Sequence, residues 1–496
     1  MSSFLTRNLK GATVVLAVYF LLNVALRMAL PHSLELDEAE QAFFSQYLLP
    51  GYGPQPPFYN WMQYVVISVT GMSMWALTVP KNLLLFLSYL FYGLAAREVL
   101  KERSLAALAM LSLITLPQVA FMAQRDLTHT VALLLATSLF LLGFLRTLNR
   151  PGIGSYLLIG IATGIGIISK YNFALMPAAA LLAVLPDIEW RRRALDLRML
   201  LAIAVAAAII LPHGLWLLNN MDQASAGTLS KMIENDHEGR LAKLGVGLLS
   251  LLVAIVAFTA LPAVLFAAAF RADLLRALRA GNRWTRMLER MMIISLIAVA
   301  IITVGVGATH IRERWLTPFL LVLPLYTFMK LEATGIDLSA GHRRFQQVIP
   351  VLMAIVLLSL GLRVVAAQWI GSYSKPNIPF PSFAREMTAK TKPALVIASD
   401  MYVAGNLRVQ LPDVPIVVPG SAGSLAALSA ASQGPVLVVW RGATESDATT
   451  IPQGLTLTLS AENLVIVDQR MLLLPYYYGR DSDKYALGYA WVRSGG

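Results

Sequence analysis

The sequence predicts a polytopic helical membrane protein that ends in a small α/β domain outside the bilayer. Composition, recurring apolar runs and a change of character after Arg363 predict it. The chain has 496 residues, 57% hydrophobic and 14% charged, with mean hydropathy +0.64. A soluble protein of this size does not need that much apolar surface. Runs near the ~20 apolar residues that cross a bilayer recur through the first three quarters. A Gly, Ser and Pro linker follows at 370–381. Beyond it, short β-rich runs at 394–398, 414–418, 435–440 and 464–467, with a helical stretch fitting at 422–432, read as an α/β fold. The predicted organisation is a membrane domain over 1–369, with outer loops at 31–81 and 213–243, the linker 370–381, and the α/β domain 382–496.

Taken in order, the first apolar run follows Arg7 and Lys10. It leads into Arg27-Met28-Ala29-Leu30-Pro31-His32 with no small-residue cleavage site, so it reads as a retained span. Basic loops then set the orientation. They hold Arg97, Lys101 and Arg103; Arg146 and Arg150; Arg191–Arg193 and Arg198; six arginines between Arg271 and Arg290; and Lys330, Arg343 and Arg344. With Arg7 and Lys10 they contain half of the 40 Lys and Arg residues, and the positive-inside rule places them in the cytoplasm. Parity gives spans near 11–30, 82–96, 104–122, 129–146, 155–169, 173–186, 199–216, 244–270, 291–308, 315–329 and 347–366, about 11–13 transmembrane helices in all. A crossing at 57–79 would invert every later loop, so that stretch is expected as helices lying against the membrane. The same rule accounts for much of the net charge of +12, which in a soluble chain would suggest nucleic acid. The absence of cysteine excludes disulfides, thiolate metal sites and Cys nucleophiles.

The polar breaks on the outer side bring chemistry-bearing residues to one membrane face. The acidic island Leu36-Asp37-Glu38-Ala39-Glu40-Gln41 is either a solvated helix N-terminus, which acids stabilise, or a general base with its partner. Then comes Gly53-Pro54-Gln55-Pro56-Pro57-Phe58-Tyr59-Asn60-Trp61. Asp126 is either a local ion-pair partner and cap for the following helix or a second functional acid. Lys170 interrupts an apolar stretch, where it snorkels or meets a phosphate. His237 and Arg240 belong to a charged loop that is either simply solvated or able to bind a metal. Arg312 and Arg314 either anchor a span or capture a phosphate. Arg27, one turn before Pro31, reads as snorkelling.

An Asp-Glu pair early in the first outer loop, followed by a Pro-Pro-aromatic segment, resembles the membrane-embedded GT-C glycosyltransferases. Within these it is similar to the family 39 and 83 group, which includes protein mannosyltransferases and the lipid A aminoarabinose transferase. The resemblance implies Asp37 as catalytic base with Glu38 as its partner, and Asp126 as the second acidic position. Gln55 falls where aminoarabinose transferases carry a phosphate-binding Lys, and Pro54 where they carry a metal-binding Glu. The pattern therefore assigns no certain cofactor: a divalent metal is the one candidate the resemblance leaves open, and it lacks that ligand. Carrier-phosphate contact passes to Lys170, Arg240, Arg312 or Arg314, with Gln55, Tyr59 and His237 completing the substrate-binding set. The pattern Gly51 to Pro57 is similar to members that decorate lipopolysaccharide core or lipid A, including galacturonic acid transferases.

What this implies is an inverting transferase in the bacterial inner membrane, with active site and terminal domain periplasmic. It would move a sugar from a polyprenyl-phosphate carrier to a lipid or glycolipid hydroxyl, acting as a monomer without nucleic acid. The rivals are a protein O-mannosyltransferase, a ligase using a diphosphate carrier, and a lipid-linked sugar flippase. A flippase would place its charges near the midplane in repeated halves; here they gather at one face and no repeat is visible.

Overall fold

The computed structural model describes residues 8–224, 240–421, 434–442 and 445–495. In chain order the helices begin with α1 (Leu9–Ala29), α2 (Leu36–Phe44), α3 (Phe58–Thr70), α4 (Met74–Val99) and α5 (Arg103–Ser112). They continue with α6 (Thr128–Asn149), α7 (Ile153–Ile167), α8 (Leu175–Val184), α9 (Arg198–Asn219) and α10 (Arg240–Phe270). The membrane part closes with α11 (Ala272–Arg279), α12 (Arg283–Val306), α13 (Leu323–Glu332) and α14 (Ser339–Val365). Among the described residues, seven helices are long and apolar enough to cross a membrane: α1, α4, α6, α9, α10, α12 and α14.

The other expected spans are helical but broken or short. The run 104–122 folds as Arg103–Thr115 and Gln118–Arg125, bent by 72°, with Pro117 and a π-helical turn at Gln118–Met122 at the break. Ile153–Ile167 and Tyr171–Val184 are shorter apolar helices. The second span starts earlier than position 82. The apolar residues from Met74 join it in one 26-residue helix that runs through Pro80, a residue membrane helices tolerate. α3 has 13 residues, about 20 Å of helix, which is too short to span ~30 Å of hydrocarbon.

The chain divides into two compact units. One is residues 1–21, 53–58 and 82–356; the other is 22–52, 59–81 and 357–496. In the first, α6 is buried along nearly its whole length. α7 packs on both α6 and α9. A Cβ at Gly160 would collide with the backbone of Ala202, so glycine sets that close helix approach.

The second unit contains a five-stranded sheet of order β2-β1-β3-β5-β4, formed by β1 (Leu395–Ala398), β2 (Ile416–Val417), β3 (Val436–Arg441), β4 (Leu464–Pro475) and β5 (Lys484–Ser494). β1 is parallel to β2 and β3, while β5 is antiparallel to β3 and β4. Helices α15 (Phe380–Met387), α16 (Met401–Gln410) and α17 (Gln453–Ala461) pack with it. Val396, Ala398, Leu437 and Val439 face a core shared with Phe43, Phe44, Phe383 and Leu407. Leu395, Ile397, Val438 and Trp440 face a second core with Leu455 and Leu459. Burial on both faces explains why these strands read as continuous apolar runs. The expected helix at 422–432 lies outside the described residues.

Candidate active site

The acidic island folds as the first turns of α2, in the second unit. Glu35 occupies the N-cap, and Asp37 and Glu38 sit in the first turn, where the helix dipole favours negative charge. Asp37 is half-buried and Glu38 buried. The Glu38 carboxylate meets Lys81 Nζ at 2.8 Å and Arg27 Nη2 at 3.1 Å. Burial alone would raise its pKa; the two cations outweigh that and hold it well below the usual carboxylate range. Glu35 pairs with Arg363.

Arg27 therefore does not snorkel. Its guanidinium also donates to the carbonyls of Pro31 at 2.9 Å and Ser33 at 3.0 Å. It turns inward because the carboxylate that satisfies it lies just past the Pro31 bend. Lys81 is missing from the residues the sequence pattern points to, although a lone cation after Pro80 in an apolar run is a recognisable signal.

Tyr59 is buried beside these carboxylates. Burial first, then the negative charges of Glu38 and Asp37, raise its hydroxyl pKa, so it stays protonated and able to donate. The next residue, Asn60, is 1% exposed, and neither of its amide atoms has a partner among the described residues.

In the first unit a cavity of about 190 Å³ is lined by Gln55, Lys170, Tyr171, Asn172, Trp315 and apolar neighbours. The Pro-aromatic segment is tied there by the Phe58 amide, which donates to the Ile168 carbonyl at 2.9 Å. Lys170 Nζ donates to Thr130 Oγ1 at 3.2 Å. Tyr171 pairs its hydroxyl with His213 Nε2 at 2.9 Å. Asn172 donates to the Trp315 carbonyl at 2.8 Å. A cation, two amides and a phenol around a mostly apolar hollow suit an anionic head on an apolar tail.

Asp126 is buried at the break before α6. The next residue, Leu127, has φ +67°, a left-handed conformation costly for a leucine and of the kind that collects at functional sites. Arg312 and Arg314 are half-buried on the turn that carries Trp315. Neither guanidinium makes an ion pair with a described residue, and neither lines the cavity.

The predicted residues thus divide between the units. Asp37, Glu38 and Tyr59 gather in the second; Gln55 and Lys170 share the cavity of the first, with Asp126, Arg312 and Arg314 elsewhere in that unit. His237 and the side chain of Arg240 lie outside the described residues. Tyr171, Asn172 and Trp315 were missed; aromatic and amide residues in an apolar sequence carry little signal of a cavity.

Residues 54–216 match the family model described as dolichyl-phosphate-mannose-protein mannosyltransferase. The chain is 62% identical to the lipopolysaccharide core galacturonosyltransferase RgtA of Rhizobium johnstonii, over 98% of each chain. It is 45% identical to the lipopolysaccharide core galacturonosyltransferase RgtB of the same organism, over 99% of each. In fold it is similar to ArnT from Cupriavidus metallidurans bound to undecaprenyl phosphate. That likeness has a TM-score of 0.61 at 15% identity and covers 96% of this chain and 98% of that one. The GT-C architecture expected from the first outer loop is therefore present, and the chain is a glycosyltransferase that belongs to the lipopolysaccharide core galacturonosyltransferase family.

Proposed function

We propose that this enzyme moves galacturonic acid from a polyprenyl monophosphate carrier to a hydroxyl of the lipopolysaccharide core, as a monomer at the periplasmic face of the inner membrane. The observation that carries this reading is likeness to two core galacturonosyltransferases along essentially the full length of both. Asp37 takes the proton of the acceptor hydroxyl. The freed oxygen attacks the anomeric carbon, and the bond from that carbon to the phosphate oxygen breaks on the opposite face, so the configuration inverts. The carrier phosphate leaves with its charge, which cations aimed at it stabilise.

Lys170 supports the leaving phosphate from the cavity wall, with Gln55 beside it and Arg312 and Arg314 as further cations; Asp126, His237 and Arg240 complete the working set. Glu38 is bound on two sides by Lys81 and Arg27, which suits holding Asp37 in place rather than exchanging protons. The basic loops between the spans support cytoplasmic placement of those loops and hence an outward-facing site. The test is mass spectrometry of lipopolysaccharide core from cells with and without this protein. The core should lose one hexuronic acid when the protein is absent. An unchanged core with an altered lipid A or glycoprotein would refute the acceptor.

A further inference from the structure

We infer that the C-terminal α/β domain is a positioning device for the helix that carries Asp37, acting through Asn406 and Gly405; this rests on Asp37 being the base. α2 is attached to that domain at its start, middle and end. At the start, Asn406 Oδ1 accepts the Leu34 amide at 2.8 Å, and Asn406 Nδ2 donates to the Tyr402 carbonyl at 2.9 Å, which fixes the amide's orientation. Ser33 Oγ donates to the Ile378 carbonyl, in the linker that leads into the domain. Ser33, Leu34 and Asn406 are all essentially buried.

In the middle, the Ala39 carbonyl lies against Gly405 of α16 so closely that any Cβ at 405 would overlap it. Ala39 is two residues beyond Asp37. At the end, the Gln46 side chain pairs with both backbone groups of Ile416. Its Nε2 donates to the carbonyl at 3.1 Å, and its Oε1 accepts the amide at 3.0 Å. Ile416 lies on β2, the edge of the sheet, so the amide completes an open ladder as a further strand would. A helix held by buried hydrogen bonds at its start, a backbone contact in its middle and a half-buried amide pair just past its end cannot slide or tilt without breaking several of them. Misplacing a catalytic group by about 1 Å costs on the order of 10²-fold in rate. On this basis the domain sets the rate through the aim of one carboxylate.

The test is a pair of mutant cycles on the purified full-length enzyme, with radiolabelled donor so that low rates are measured. Gly405→Ala and Asn406→Ala should each lower kcat about 10- to 100-fold with little change in donor KM. Combined with Asp37→Asn, neither should lower kcat further, because a base that is absent cannot be misaimed. General loss of folded protein would instead multiply the two losses. If either variant fails to fold, Gln46→Ala, half-buried at the helix end, enters the same cycle with the same expectation. Wild-type kcat in the single variants, or multiplicative loss in the doubles, overturns the positioning role and leaves the base assignment standing. Full activity in Asp37→Asn overturns both.

Discussion

Glu38→Gln removes the negative charge from between two cations and leaves their positions otherwise filled. The side chains of Glu38 and Lys81 are 5% and 3% exposed, and that of Arg27 is 14% exposed. At an effective dielectric near 20, contacts of 2.8 and 3.1 Å are each worth about 5–6 kcal/mol before desolvation is subtracted. Breaking such a buried arrangement by removing one partner costs about 3–5 kcal/mol, since the remaining charge is left uncompensated. Here two cations are left. The apparent Tm in detergent should fall by roughly 6–20 °C for a unit of this size. Lys81→Met should cost less, because Arg27 still answers Glu38, and the double variant Glu38→Gln/Lys81→Met should recover part of the loss. The pH dependence has a definite sign. Glu38 titrates below its usual value of 4.5 in the folded protein, so its contribution is present above pH 4.5 and is lost as pH falls through the lower folded pKa. The Tm gap between wild type and Glu38→Gln should therefore narrow on strong acidification. An unchanged Tm at pH ~7 would refute the ion cluster as a structural anchor.

Three further outcomes are expected. Lys170→Ala should raise the donor KM more than the acceptor KM, and Arg312→Ala and Arg314→Ala should do the same; steady-state kinetics with each substrate varied in turn decides it. Arg27→Ala should cost about 2 kcal/mol or more of stability in denaturant titration, where loss of a snorkelling arginine would cost almost nothing. Cysteines placed at the exposed positions Val467 and Arg279 of this cysteine-free chain should differ in reaction with an impermeant thiol reagent in outer-membrane-permeabilised cells. Position 467 should label and position 279 should not; the reverse would overturn the orientation.

The fold was largely legible because seven of the apolar runs are long enough to name their own environment and the shorter ones recur between them. The positions of the breaks were less so: Met74 to Val79 belong to α4, and only the cooperative continuation of the helix through Pro80 decides that. β5 was missed although Tyr485, Leu487, Tyr489 and Trp491 alternate with period two, because Ala486, Gly488 and Ala490 on the other face are small and do not look like strand residues. β4 was cut short at Val467 by Asp468, Gln469 and Arg470, polar residues that an edge strand tolerates. In the site, Asp37 and Glu38 stood out as charges beside an apolar span. Their surroundings did not, because Lys81 lies 43 residues from Glu38 and Asn406 lies 372 residues from Leu34. Pairings over such separations are fixed by tertiary packing and leave no local pattern. Arg27 is only 11 residues from Glu38, but the Pro31 bend that turns the carboxylate back to it leaves no periodic pattern.

The central claim is tested most directly by reconstituting transfer with the purified enzyme, polyprenyl-phosphate galacturonic acid and lipopolysaccharide lacking that sugar, and reading the product linkage by NMR. The wild-type protein should form a single glycosidic bond of configuration opposite to the donor's. Asp37→Asn, with folding and donor binding retained, should be slower by roughly 10²–10⁴-fold. A product that keeps the donor's configuration, or an Asp37→Asn enzyme of near wild-type rate, would contradict single-displacement transfer with Asp37 as its base.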